Sequence, residues 1–203
     1  MSNKILTQGI FDGLCLQYAV MNAFKALKAP ELSSLKFSKE YAIKWQKVIA
    51  ITPSLQNFSS GIGSDFGVDL NKTSETIMAN LIRSYFEAIG EKTNFNYSVD
   101  KLSVEQIINC DFSKSVLIFC LKEQANTEQY SDANHWVCAI GIDDGYFLLA
   151  CPHVIYERAD EIYLEQISKT SGRYFNNRIY VSEIQKKHIY ESSIFRISIE
   201  KHR

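Results

Sequence analysis

The hydrophobic pattern of this chain changes its period near residue 92, and no other feature constrains the fold as strongly. From Leu16 to Leu27 the apolar residues recur at the three- and four-residue spacing of an amphipathic helix. After residue 92 short β-rich runs take over, and the clearest of these is Ser-Val-Leu-Ile-Phe-Cys-Leu at 115–121. Helices followed by strands predict an α+β fold, with a mainly helical half (1–92) packed on an antiparallel sheet (93–203).

Turn and cap signals place the remaining elements. We expect helices after an N-cap at Ser38 through Ala50, at 74–89 and at 103–108. We expect strands at 95–99, 115–121, 135–142, 146–151, 178–181 and 194–200. The stretch 53–72 holds three of the nine glycines and is predicted to be a long loop.

Composition bounds the class of protein. The 203 residues carry a net charge of −1, which predicts one domain spanning 1–203 and gives no reason to expect nucleic acid as a partner. We expect no membrane partner, since no run of about 18 apolar residues is present. The first residues lack the apolar core of a secretory signal, and five cysteines without regular spacing suit a reducing compartment. The cytoplasm is therefore the expected location, with export by a signal-less route left open, and the oligomeric state is undetermined.

A candidate nucleophile lies where the first helix begins. Asp12-Gly13 predicts a turn, and Cys15 follows it at the predicted helix N-terminus. The positive end of a helix dipole favours the thiolate, which is the reactive form of cysteine. The amide side chain of Gln8, seven residues upstream, is a candidate hydrogen-bond donor to the same point.

A candidate base lies at the edge of a predicted strand. His135 follows a polar loop and opens the strand 135–142, which Asp143-Asp144-Gly145 joins to the next strand. A three-residue turn would pair Ile142 with Tyr146. In that register His135, Val137, Cys151 and His153 share one face, and Cys138 lies on the other.

This register bears on a competing hypothesis. His135, Cys138, Cys151 and His153 are residue types that bind zinc, but a regular strand turns Cys138 away from the other three. We therefore expect neither a metal nor a cofactor. In the same register Cys151 takes the position beside His135 where an acid would orient an imidazole. Asn134, Glu157 and Asp160 are alternatives from neighbouring loops.

These motifs resemble those of papain-like cysteine peptidases, most closely the bacterial group similar to bacteriocin-leader peptidases. The likeness covers about residues 8–27 and 115–152. It implies a papain-like fold in which the helix of the nucleophile packs on the sheet. By this likeness Cys15 attacks, His135 is the base, and Gln8 with the Cys15 N–H stabilises the oxyanion. The chain departs from the family pattern with Leu16 in place of glycine, with one extra residue between Gln8 and Cys15, and with Cys151-Pro152 where the family has Asp-Pro.

The leading hypothesis is thus a cysteine peptidase that cleaves a peptide or isopeptide bond through a Cys-His dyad or triad. Two alternatives stay open. One is a papain-like binding module with weak or lost catalysis, because Cys151 stands at the acid position. The other is transglutaminase-like or deamidase chemistry on a glutamine side chain. In each case the expected partner is a protein or a peptide.

Overall fold

The computed structural model describes residues 5–6, 13–28, 34–53, 55, 75–90, 95–122, 125, 127, 134–152 and 166–201. It confirms the α+β class. The helices are α1 (Cys15–Lys28), α2 (Ser34–Ala50), α3 (Glu75–Gly90) and the short α4 (Val104–Ile107). The strands are β1 (Phe95–Lys101), β2 (Ser115–Leu121), β3 (His135–Asp143), β4 (Tyr146–Ala150), β5 (Gln166–Ile167), β6 (Tyr174–Phe175), β7 (Asn177–Tyr180) and β8 (Ile189–Lys201).

Six strands form one antiparallel sheet in the order β1-β8-β2-β3-β4-β7, and β5 pairs with β6 separately. The apolar run 115–121 is an interior strand with every residue buried, as its composition predicts. Helix α4 begins after Ser103, which forms the predicted capping box with Gln106.

The sheet buries both of its faces. One face packs against α1 and α3, and α2 packs on these two helices. We call the apolar residues of this layer the helix-side cluster. From β2 and β3 this cluster takes Val116, Ile118, Cys120, Trp136, Cys138 and Ile140. The alternating residues form the outer cluster, which includes Leu117, Phe119, Leu121, Val137, Ala139 and Cys151 and is covered in part by α4. Helix α1 packs chiefly along β3, so the first helix lies over the strand that His135 opens.

Most boundaries differ from the predictions by one or two residues, and two elements begin well before their predicted first residues. Helix α2 begins at Ser34 rather than after Ser38, because an interior serine costs a helix only a few tenths of a kcal/mol and no breaker separates the two serines. Strand β8 begins at Ile189 rather than Ile194. The polar stretch Glu191-Ser192-Ser193 interrupts the apolar pattern, so the sequence does not indicate the earlier start. A register shift between Phe119 and Leu121 of β2 accommodates the additional residues of β8.

The predicted hairpin turn is also wrong by one residue. Asp143 pairs with Tyr146, so the turn has two residues, Asp144 and Gly145, with φ of 51° and 80°. Two positive φ values match the type I′ turn, whose twist suits a hairpin. A bulge between Ala139 and Gly141 then shifts the register by one, and Cys138 pairs with Ala150. On the side of the bulge away from the turn, at Ala139 and Cys138, the pairing is therefore the predicted one.

No helix in the described ranges is both long and apolar enough to cross a lipid bilayer.

Candidate active site

Cys15 is the first residue of α1, as predicted. The Tyr18 N–H donates to the Leu14 carbonyl over 3.0 Å, so Cys15 lies in the first turn of the helix. Its side chain is buried within the helix-side cluster, with 7% of its surface exposed. A cysteine in this position experiences the positive end of the helix dipole, which stabilises the thiolate.

His135 and Cys151 form a close pair at one end of the sheet. The Cys151 Sγ and the His135 Nε2 lie 3.3 Å apart, which is hydrogen-bonding distance for sulfur. Both residues are buried, with 4% and 7% of their surfaces exposed. The structure thus places Cys151 directly beside the imidazole of His135.

Cys120 connects the two parts of the candidate site. Burial raises the pKa of its thiol well above the usual value, and the negative charge of a Cys15 thiolate raises that pKa further. A hydrogen bond from the backbone N–H of His135 has the opposite effect on the pKa of Cys120. Cys15 and the start of β3 therefore both act electrostatically on the same buried sulfur.

The two candidate catalytic side chains lie on opposite faces of the sheet. Leu121 is directly opposite His135 in the β2–β3 ladder and belongs to the outer cluster, as does Cys151. Directly paired residues share a face, so the imidazole lies on the outer face. Cys15 belongs to the helix-side cluster. The structure brings His135 and Cys151 together on the outer face, and it places the Cys15 side chain within the helix-side cluster.

The predicted separation of Cys138 from this pair is confirmed. Cys138 lies in the helix-side cluster, so it cannot join His135 and Cys151 around one zinc ion. Among the residues that the structure describes, no three His, Cys, Asp or Glu side chains gather as metal ligands would.

Most of the remaining candidates lie outside the described residues, namely Gln8, His153, Glu157 and Asp160. Asn134 is described, and its Oδ1 accepts a hydrogen bond of 2.6 Å from the Tyr190 hydroxyl. This bond directs the Asn134 side chain toward β8, whereas Cys151 on β4 holds the imidazole.

Two polar residues near the site have no signal in the sequence. Asn176 hydrogen-bonds both backbone groups of Cys151, and the guanidinium of Arg173 binds the carbonyl of Ile140 at the β-bulge. Both precede β7 in a stretch with no recognisable motif. Their contacts with Cys151 and Ile140 become apparent only from the register of β4 and the bulge in β3.

No family model matches the chain, and no curated protein matches it either.

An aspartate at position 151 tests the orienting role directly. We expect Cys151→Asp to raise the pKa of the His135 imidazole by about 1 to 2 pH units, because a carboxylate at Nε2 stabilises the imidazolium. The measurement is an NMR titration of the ring carbon resonances of all four histidines.

Cys151→Asn is the matched control, since it has nearly the shape of aspartate without the charge. It should leave the pKa of His135 within a few tenths of the wild-type value. Equal pKa changes in the two variants would show that position 151 acts by shape alone and does not couple electrostatically to the ring.

Proposed function

We propose that this protein is a cysteine hydrolase of peptide or isopeptide bonds, with Cys15 as the nucleophile and His135 as the base. The observation that carries the proposal is the 3.3 Å contact between Cys151 Sγ and His135 Nε2. This contact orients the ring, and in the proposed mechanism the sulfur accepts from Nε2–H, which leaves the lone pair of Nδ1 for proton transfer. The resemblance to papain-like cysteine peptidases supports the same roles.

The chemistry divides into two acyl-transfer steps. Nδ1 takes the Cys15 proton, and the sulfur attacks the substrate carbonyl carbon to form a tetrahedral oxyanion. The oxyanion collapses to a thioester while the imidazolium gives its proton to the leaving amine. Water then attacks the thioester with Nδ1 again accepting a proton, which releases the acid and restores the thiol. The Gln8 amide and the Cys15 N–H are the proposed oxyanion donors.

This mechanism requires the Nδ1 of His135 to reach the sulfur of Cys15. Cys15 and His135 lie on opposite faces, so Nδ1 must approach the sulfur around the N-terminal end of β3. His135 is the first residue of that strand, where the sheet ceases to separate its two faces. Cys120, whose pKa responds to both Cys15 and the His135 N–H, lies at this end of the sheet opposite Trp136.

A neutral thiol in place of an acid beside His135 favours a second candidate function. A papain-like module that binds a protein segment without cleaving it needs no charged partner for the imidazole. In such a module the buried pair of Cys151 and His135 would contribute only to packing.

The rate of thiol alkylation distinguishes the two functions. At pH 6.5 we expect iodoacetamide to label Cys15 at least about 10-fold faster than the same thiol in the urea-denatured chain, because only an activated cysteine is substantially thiolate there. His135→Ala should remove this advantage. The measurement is peptide mass spectrometry of the labelled chain over time, and Cys110, a partly buried cysteine, is the internal control.

A labelling rate at Cys15 no faster than in the denatured chain would contradict the hydrolase and support the binding module. If labelling is fast, incubation with glutamine-containing proteins separates the remaining possibilities. New chain termini mean hydrolysis, whereas released ammonia without cleavage means deamidase or transglutaminase chemistry.

A further inference from the structure

Asn176 extends the β4–β7 ladder beyond its last strand pair. Leu149 pairs with Asn177, and the N–H of Asn176 donates to the Leu149 carbonyl over 3.0 Å. The Asn176 side chain then continues along β4. Its Oδ1 accepts from the Cys151 N–H over 2.8 Å, and its Nδ2 donates to the Cys151 carbonyl over 2.9 Å.

A side-chain amide replaces a strand residue here for a chemical reason. Cys151 is followed by Pro152, which has no N–H to donate to a neighbouring strand. The amide of Asn176 offers one acceptor and one donor in a plane, as a paired strand does. The residue is buried, with 9% of its surface exposed, so both bonds form away from water and fix the backbone of Cys151.

The fixed backbone determines where the Cys151 thiol lies. Ala150 belongs to the helix-side cluster and Cys151 to the outer cluster, so the extended alternation of β4 persists through residue 151. This alternation places the Sγ on the face of His135, at 3.3 Å from Nε2. A backbone that relaxed at residue 151 would lose that contact while the strand itself stayed intact.

We propose that Asn176 is a positioning residue for the His135 imidazole. By clamping Cys151 it keeps the sulfur at Nε2 and so holds the ring in a single tautomer. The tautomer in which the sulfur accepts from Nε2–H leaves a lone pair on Nδ1. The catalytic value of this tautomer rests on the proposed function, but the clamp does not. The role is specific to Asn176, because its neighbour Asn177, which is also buried, donates to the hydroxyl of Thr127 instead.

The test compares Asn176→Ala with Asn177→Ala, since each variant removes a buried amide from one of two adjacent positions. In the ¹⁵N spectrum of the wild type we expect a single tautomer of His135 to dominate, and the hydrolase proposal requires it to be the Nε2-protonated one. Asn176→Ala should bring the two tautomers to comparable populations and slow the alkylation of Cys15 at pH 6.5 about 10-fold, as loss of a supporting contact typically does. Asn177→Ala should change neither quantity, although it lowers stability by a similar amount.

Asn176→Ser, which keeps one of the two hydrogen bonds, is expected to be intermediate, and it serves as the test if the alanine variant does not fold. A wild-type tautomer that persists in Asn176→Ala, or that changes equally in Asn177→Ala, would overturn the positioning role. Because the tautomer is measured without any reaction, this result is independent of whether Cys15 is the nucleophile. Slow alkylation of Cys15 in the wild type would refute the hydrolase and leave the clamp standing.

Discussion

Replacing Cys15 by alanine is expected to lower kcat/KM for peptide hydrolysis on the order of 10⁴-fold or more. The proposed mechanism passes through a thioester on this sulfur, and removing a nucleophile eliminates the covalent route altogether. Cys151→Ala should lower kcat/KM only about 10-fold, because it removes a neutral group that orients the base. The measurement is hydrolysis of a library of fluorogenic peptide amides, with thermal unfolding to verify that each variant is folded.

Cys110→Ala is the matched control and should retain wild-type activity. Cys110 contacts Ser115 Oγ at 3.4 Å and lies in the loop before β2, away from the His135 pair. The opposite ranking, with Cys15→Ala active and Cys151→Ala inactive, would transfer the nucleophile to Cys151. That outcome has a structural basis, since Cys151 is the thiol that contacts the imidazole.

The sequence predicted the pair of His135 and Cys151 through a register that was correct for an unexpected reason. The predicted turn has three residues, 143–145, whereas the observed turn has two residues and is followed by a bulge. Both give the same partners to Ala139 and Cys138. Turn residues such as Asp-Gly are visible in a sequence, because they adopt positive φ. A bulge at an apolar position such as Ile140 leaves no mark in the composition, so its compensating effect was not predictable.

The position of Cys15 relative to the sheet was not predictable either. Helical periodicity indicates which side of α1 is buried, and strand alternation indicates which residues of β3 share a face. Neither pattern says which face of the sheet the helix covers. That choice depends on how β2, β3 and β8 fill the helix-side layer, where Trp136 and Phe195 are completely buried.

The β3 bulge that sets this register needs support, and Arg173 provides it. Ile140 is skipped in the β3–β4 ladder, so its carbonyl lacks a strand partner on that side. Arg173 Nη1 donates to this carbonyl over 3.2 Å and to the carbonyls of Phe112 and Ser115 over 2.8 Å each. Burial lowers the pKa of Arg173, but a guanidinium stays protonated in proteins, so a buried cation holds three backbone oxygens together.

Arg173→Met is therefore expected to lower the free energy of unfolding by roughly 3 kcal/mol. Methionine fills most of the space, but it leaves the buried carbonyls of Ser115 and Ile140 and the partly buried carbonyl of Phe112 without their charged donor, and each loss costs about 1 kcal/mol or more. Urea denaturation at neutral pH, followed by tryptophan fluorescence, measures the change, because Trp136 lies in β3 four residues before the bulge. The altered bulge should also disturb the register at residues 138 and 150, and with it the contact between His135 and Cys151.

Arg196→Met is the matched control for a lost arginine. Arg196 donates to the Asp100 carboxylate over 2.9 Å, but the two side chains are 41% and 44% exposed, so solvent screening limits the pair to about 1 kcal/mol or less. Arg173→Lys should fall between the two, because the ammonium retains the charge but its shorter side chain does not reach the position of Nη1, where the three carbonyls converge. If Arg173→Met costs no more than Arg196→Met, the bulge is held by strand pairing alone, and the geometry of the His135 pair does not depend on Arg173.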